Sequence, residues 1–304
     1  MPVRLADMKV LIAGATGVIG KSLVPQLTAA GHHVVEVSRE SGTDLLDHSA
    51  VRRVVQAAEP DAVVHMATAL PSRINTKTLA RDFEQTNRLR SVGTRNLLDA
   101  ALETGAPRII TQGLAYAYEP GQGLADEDAP LWIRPPAQFA PVLAALRELE
   151  CRTADAKGLV LRFGHLYGPG SYFSPGGFYT RQVHEGKFPI AGKGASVLSF
   201  THASDAASAV VAALDSDVSG VLNIADDTPV TIGQWLPAFA SMLGAPAPKR
   251  VPVALVRLVA GGWGAAFMTE LRGASNARSK TALKWRPRYH SWIEGFTIEH
   301  ASRE

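Results

Sequence analysis

The stretch KVLIAGATGVIGKSLVPQL, residues 9–27, constrains the fold more than any other. Lys9–Ala13 is a short apolar run that reads as a buried strand. Gly14, Gly17 and Gly20 follow at steps of three, and a helical segment starts after them. A chain that turns sharply from strand to helix needs glycine at the turn. It needs glycine again wherever another group must approach the main chain. The helix N-terminus then offers free N–H groups and a positive dipole end to an anion such as a pyrophosphate. This order of elements predicts a dinucleotide-binding unit, with Gly14, Thr16, Gly17, Val18, Ile19 and Gly20 at the cofactor.

Val34, Val35 and Val37 predict a second strand, in GHHVVEVSRE. The residues just past such a strand select the dinucleotide. An acidic residue there would hold the ribose 2′-hydroxyl of NAD. This chain has Ser38 and Arg39, a hydroxyl and a guanidinium suited to a 2′-phosphate. NADP(H) is therefore the expected cofactor. Glu36, two residues earlier on the same strand face, leaves NAD(H) open.

Apolar strands and helices then alternate: a strand over 61–67, a long helix over roughly 78–103, a strand over 106–112, a helix over 141–155 and a strand over 159–163. Such alternation predicts an α/β fold, a Rossmann-like doubly wound parallel sheet covered on both faces. The chain has 304 residues, 46% hydrophobic and 19% charged, enough for one large domain or two modest ones. Its net charge of +3 is small. The nearest thing to a basic cluster is Arg88, Arg90 and Arg95, read as a solvated helix face, so no nucleic-acid partner is expected. A single cysteine, Cys151, excludes an intramolecular disulfide and fits a reducing cytoplasm. No signal peptide and no membrane span are expected. The nine histidines are scattered without ligand spacing, so no metal site is expected.

With these pieces in order, the chain resembles an extended short-chain dehydrogenase/reductase. GATGVIG resembles that family's G-x-x-G-x-x-G loop. Asp44-Leu45 resembles the pair that touches the adenine. DAVVHMAT, residues 61–68, resembles the strand whose end lies along the cofactor, which implies cofactor contacts at Met66, Ala67 and Thr68. LRFGHLYGPG, residues 161–170, is similar to the segment that passes the nicotinamide, which implies Gly164, His165 and Leu166. GTRNLLDAA (93–101), SFTHASDAASAVVAAL (199–214), VLNIADDTPVTI (221–232) and KWRPR (284–288) complete a match that runs nearly end to end. The resemblance implies a dinucleotide-binding domain over 1–166, with 197–225 returning to it. It implies a smaller C-terminal substrate-binding region over 167–196 and 226–304. The resemblance implies a monomer or a homodimer acting on a small-molecule substrate.

The departures from the family pattern bear on the chemistry. The usual active site is a Ser or Thr followed by Tyr-x-x-x-Lys on the next helix. TQGLAYAY, residues 111–118, puts Gln112 and Gly113 where the hydroxyl belongs, with Thr111 one step early. Ala140 and Ala144 fall near the tyrosine and lysine positions, and no Tyr or Lys lies between 119 and 156. A positioned general acid contributes about 10²–10⁴-fold, roughly 3–5 kcal/mol. Alignment of hydride donor and acceptor contributes more, about 7–11 kcal/mol. Hydride transfer therefore survives the loss, but the default proton source is gone. Tyr116 is the first candidate to replace it, ahead of Tyr118 and His165, while Gln112 can bond a carbonyl oxygen without giving a proton.

On the substrate side, Tyr172, Phe173, Phe178 and Tyr179 can line a pocket or pack a flexible lid. Trp263, Phe267 and Met268 add apolar bulk. Arg181, Lys187, Lys193 and Arg272 form no signature for a sugar-nucleotide pyrophosphate. The expected activity is NADPH-dependent reduction of a carbonyl on a bulky, partly aromatic small molecule, as in secondary-metabolite tailoring. A sugar-nucleotide epimerase or dehydratase is the alternative, as is an NADP-sensing regulator without catalysis.

Overall fold

A computed structural model describes residues 7–106 and 108–301. The chain runs β1 (Lys9–Ala13), α1 (Gly20–Ala29), β2 (His33–Val37), α2 (His48–Ala58), β3 (Ala62–His65), α3 (Leu79–Asp82) and α4 (Glu84–Arg88). A π-helical turn over Leu89–Gly93 leads into α5 (Thr94–Glu103). Then come β4 (Arg108–Leu114), α6 (Ala140–Asp155), β5 (Leu159–Phe163), β6 (His165–Tyr167), α7 (Phe178–His184), β7 (Ile190–Ala191), β8 (Val197–Leu198) and β9 (Phe200–His202). The remainder is α8 (Ala203–Leu214), β10 (Gly220–Ile224), β11 (Val230–Thr231), α9 (Ile232–Met242), β12 (Arg250–Val251), α10 (Val253–Thr269), α11 (Ala277–Ala282) and α12 (Trp292–Ala301).

Six strands form one parallel sheet in the order β10-β5-β4-β3-β1-β2. Their apolar runs are uninterrupted because both faces are covered. Helices α1 and α8 pack together on one face, and α2, α5 and α6 on the other. β2 and β3 flank β1 on opposite sides, so the chain reverses direction across the sheet there. In such sheets ligands bind outside the carboxyl ends of the strands at that crevice. Gly14 sits in it with φ +99°, and a Cβ there would stand 2.7 Å from the Ala67 nitrogen. β10, from the far part of the chain, joins the edge of the sheet beside β5.

The rest of the C-terminal part packs around an aromatic cluster. Phe200, Trp235, Phe239 and Phe296 are all nearly inaccessible. No helix among the described residues is long and apolar enough to cross a membrane.

Two expected elements differ. The helix expected over 78–103 is interrupted: α3 and α4 meet at Phe83, whose φ/ψ of −100°/5° is not helical, and the π-turn follows. The strand expected over 106–112 is found over Arg108–Leu114, because β5 continues the ladder as far as the Leu114–Phe163 pair. The expected helix over 141–155 is present, with Val142, Leu143, Leu146 and Leu149 buried.

Candidate active site

The carboxyl ends of β1, β2 and β3 border a long groove. At one end it is lined by Ser38, Arg39, Asp44 and Leu45. It runs past Gly14, Thr16 and Gly17 and along Met66, Ala67 and Thr68. It continues over Val18 and Ile19 to Gln112 and Leu166. The two halves hold about 520 and 550 Å³. Local bonds shape the far end: Ser41 donates its N–H to Ser38 Oγ at 3.1 Å, and Asn96 Nδ2 donates to the Leu45 carbonyl at 2.9 Å. Arg39 is exposed.

The groove suits a dinucleotide. No side chain caps the N-terminus of α1 and its first turn holds no acid, so its dipole is left to an outside anion. Gly20 does not line the groove. A Cβ there would meet the carbonyl oxygens of Gly14 and Ala15 at 2.3 Å, so this glycine closes helix onto loop. Thus Gly14, Thr16, Gly17, Val18 and Ile19 lie at the groove with Ser38, Arg39, Asp44, Leu45, Met66, Ala67 and Thr68, and Gly20 supports them from beneath.

Past Thr68, Gln112 and Leu166 the groove meets a second, more enclosed cavity of about 190 Å³. Its walls are hydrocarbon and aromatic rings, among them Phe83, Phe139, Tyr172, Tyr179, Trp263 and Phe267. Phe139 and Trp263 stack with ring centroids 3.9 Å apart. The kink at Gly261 (φ +77°) divides α10, and Ala260, Trp263, Gly264, Phe267 and Met268 from around and after it face the cavity. Phe173 also lines this cavity, whereas Phe178 lies on the groove.

The expected proton donors separate sharply. Tyr116, half-buried, lines the cavity, and burial raises its pKa, so it is a protonated phenol at neutral pH. Tyr118 is no donor to this site: its hydroxyl donates to Asn223 Oδ1 at 2.6 Å and accepts from Arg162 Nη1 at 2.8 Å. Arg162 in turn grips Glu150 of α6 through two bonds of 2.8 and 2.6 Å. This buried knot ties β5 to α6 and is structural. His165 also lines the cavity. Its Nδ1 lies 3.3 Å from the Ser199 carbonyl, its Nε2 has no partner, and burial pulls its pKa down to about 4. It is neutral at pH 7 and gives no proton. Gly164 lies beside it on the cavity wall.

The missing hydroxyl also has a structural reason. Thr111 is buried with its Oγ1 3.0 Å from that of Thr153, out of reach of the cavity. At Gly113 a Cβ would stand 2.7 Å from Arg162 Cγ and 2.9 Å from Val160 Cγ1, so no serine or threonine fits. Of the cations considered for a sugar nucleotide, Arg181 donates to the Gly176 carbonyl and Lys187 pairs with Glu185 at 2.8 Å. Arg272 donates to the Gly123 and Leu124 carbonyls. They do not converge.

One residue of this cavity was misread from the sequence. Arg90 is not on a solvated helix face: it is 4% exposed and lines the aromatic cavity. The signal lay in the helical period, because Thr86, Arg90, Thr94 and Leu97 form one buried stripe, while Arg88 and Arg95 are exposed.

A parallel α/β sheet with a glycine loop, an uncapped helix and a groove across its carboxyl edge defines a dinucleotide-binding protein. The sequence profile of the NAD dependent epimerase/dehydratase family matches residues 10–225, and the chain belongs to that family. The 3-diazoavenalumate denitrifying reductase of a Streptomyces species is 43% identical over 306 aligned positions, 96% of this chain and 100% of its own length. A UDP-N-acetyl-alpha-D-glucosaminuronate decarboxylase from Bacillus cytotoxicus is 28% identical, covering 71% of this chain and 74% of its own. Among solved structures, the human epimerase family protein SDR39U1 with NADPH superposes with a TM-score of 0.77. It is 23% identical and covers 97% of this chain and 100% of its own. A Thermotoga maritima UDP-glucose 4-epimerase with UDP-glucose gives 0.75 at 20% identity, covering 96% of this chain and 97% of its own.

Proposed function

We propose that this protein is an NADPH-dependent reductase of a flat, aromatic small molecule, working in the tailoring of a secondary metabolite. The observation that carries this reading is the junction at Thr68, Gln112 and Leu166, where the dinucleotide groove opens into a cavity walled by aromatic rings. NADPH is favoured over NADH by Ser38 and Arg39, with no carboxylate at those two positions. A reduced nicotinamide, when bound at the junction, would supply the hydride. Gly14, Thr16, Gly17 and the α1 N-terminus would hold the pyrophosphate, Met66, Ala67 and Thr68 would lie along the dinucleotide, and Gly164, His165 and Leu166 would flank the ring.

The acceptor we favour is an aromatic diazo group. The 43%-identical relative is named as a denitrifying reductase of a diazo compound. In such a reduction a C–H bond replaces the C–N bond, two electrons arrive with the hydride, and the nitrogen leaves as N₂ with the old bonding pair. For an arenediazonium cation no anion remains, so no protein acid is needed. That matches a cavity to which the α6 segment contributes Phe139 and Val142, neither of which can give a proton. The second reading is reduction of an aromatic ketone, favoured by Tyr116, whose protonated phenol lines the cavity.

The test is turnover with nicotinamide-deuterated NADPH, an ortho-diazophenol and an aromatic ketone of similar size. The reading expects N₂ release and one deuterium on the arene carbon that bore nitrogen. Deuterium in an alcohol product instead would establish the ketone reading. Oxidation of the cofactor with neither substrate would overturn both.

A further inference from the structure

Arg90 is the one formally charged side chain among the described residues lining the aromatic cavity. Its Nη1 is buried with no hydrogen-bond partner, and no carboxylate pairs with it among the described residues. It stands on the π-helical turn Leu89–Gly93, a rare local geometry that is frequent at functional sites. Taking a guanidinium out of water without a partner costs several kcal/mol. The surroundings offer no relief. Tyr116 and His65 both feel the Arg90 charge, and burial keeps the one a neutral phenol and the other a neutral imidazole at pH 7; His165, Tyr172 and Tyr179 on the cavity wall are neutral as well. Groove and cavity differ here: Arg90 lines only the cavity, whereas the dinucleotide groove is lined by its neighbour Leu89.

We propose that Arg90 is the substrate anchor of this cavity, binding an anionic oxygen, phenolate or carboxylate, carried by the planar aromatic molecule that the rings enclose. The inference rests on the reductase reading for its substrate class. A guanidinium gives two parallel N–H bonds to a carboxylate and one or two to a phenolate, and in a dry aromatic cavity these are strong. The anchor also fixes which ring edge faces Thr68 and Gln112. Where the anion is a phenolate conjugated with a diazo group, the guanidinium holds negative charge on oxygen. That keeps the diazo-bearing ring electron-poor and receptive to hydride.

The test is equilibrium binding of 4-hydroxycinnamate to the full chain saturated with NADP⁺, alongside its methyl ester and its 4-methoxy ether. Wild type is compared with Arg90→Met and Arg90→Lys. Arg90→Met removes an unpaired buried charge at similar volume, so it is expected to fold and to melt no lower than wild type. The expected result is at least a tenfold loss of hydroxycinnamate affinity in Arg90→Met, partial recovery in Arg90→Lys, and NADPH affinity within twofold of wild type. Weaker binding of the ester to wild type identifies carboxylate as the anchored group. Weaker binding of the ether, with a red-shifted phenolate band in the bound acid, identifies phenolate. Equal affinity of Arg90→Met and wild type overturns the anchor and leaves the reductase reading standing. An equal loss of NADPH affinity overturns it too, by assigning Arg90 to the cofactor. If wild type binds NADPH but none of the three aromatics, the anchor and the aromatic substrate class fall together.

Discussion

Tyr116 lies on His165 as a stacked pair, ring centroids 4.3 Å apart and planes inclined by 25°. The stack fixes the phenol at the cavity wall whether or not its hydroxyl takes part in chemistry. Tyr116→Phe keeps the ring and removes only the hydroxyl. Turnover of an aromatic diazo substrate is therefore expected to change less than about threefold. Reduction of an aromatic ketone, which leaves an alkoxide, is expected to fall by about a hundredfold or more. Steady-state rates with the two substrates check this directly.

Arg39 is exposed at the far end of the groove with no ion pair among the described residues. Charge-assisted hydrogen bonds to a phosphate contribute about 1.5–3 kcal/mol each. Arg39→Ala is expected to weaken NADPH binding by about tenfold or more and to leave NADH binding unchanged. Fluorescence titration with each cofactor measures both numbers. Equal effects on the two would remove Arg39 from 2′-phosphate recognition.

Asp226 is 3% exposed and its Oδ2 has no partner. Burial, helped by the neighbouring Asp227 charge, pushes its pKa up to about 8, against a backbone N–H from Thr228 that pulls it down. A carboxyl with a raised folded-state pKa favours the native state below its unfolded value. That stability drains away as pH rises through about 8. Asp226→Asn is expected to flatten this fall. Its melting temperature should sit above wild type at pH 9 and approach it near pH 5, as thermal melts across that range would show.

Gly20 is the buried glycine at the start of α1. A methyl at this position meets two carbonyl oxygens at 2.3 Å, which only a backbone shift can relieve. Gly20→Ala is expected to cost about 2 kcal/mol or more in stability, within the range of strain and overpacking mutants. It should weaken both dinucleotides alike, since it opens the loop rather than removing a phosphate contact. Denaturant unfolding and cofactor titration separate the two effects.

The dinucleotide half was legible because its signals are local. β1 occupies Lys9–Ala13, as its apolar run implied, and main chain within 2.7 Å of a Cβ at Gly14 and 2.3 Å of one at Gly20 demands glycine at those two positions. The cavity was legible only in its rings: Tyr172, Tyr179, Trp263 and Phe267 line it, but nothing in their spacing placed them together. Tyr116 and Tyr118 stand two residues apart beyond the end of β4, and the sequence ranks Tyr116 first without showing what Tyr118 does. They diverge because the partners of Tyr118, Arg162 and Asn223, come from β5 and β10, far along the chain. Arg90 was grouped with Arg88 and Arg95 by proximity, although its phase on the helix differs from theirs. The π-turn itself leaves no mark in residue type.

Between Phe139 and Arg147 the start of α6 carries only aliphatic side chains, and Phe139 and Val142 turn toward the cavity. Such a segment answers to volume alone, and exchanges such as Leu146→Met should cost less than about 1.5 kcal/mol and leave turnover intact. Kinship among proteins of this kind is then invisible to a search keyed on tyrosine and lysine. It would show instead in the cavity, as an aromatic wall with a single guanidinium in it, and chains scattered among presumed epimerases could be gathered by that outline.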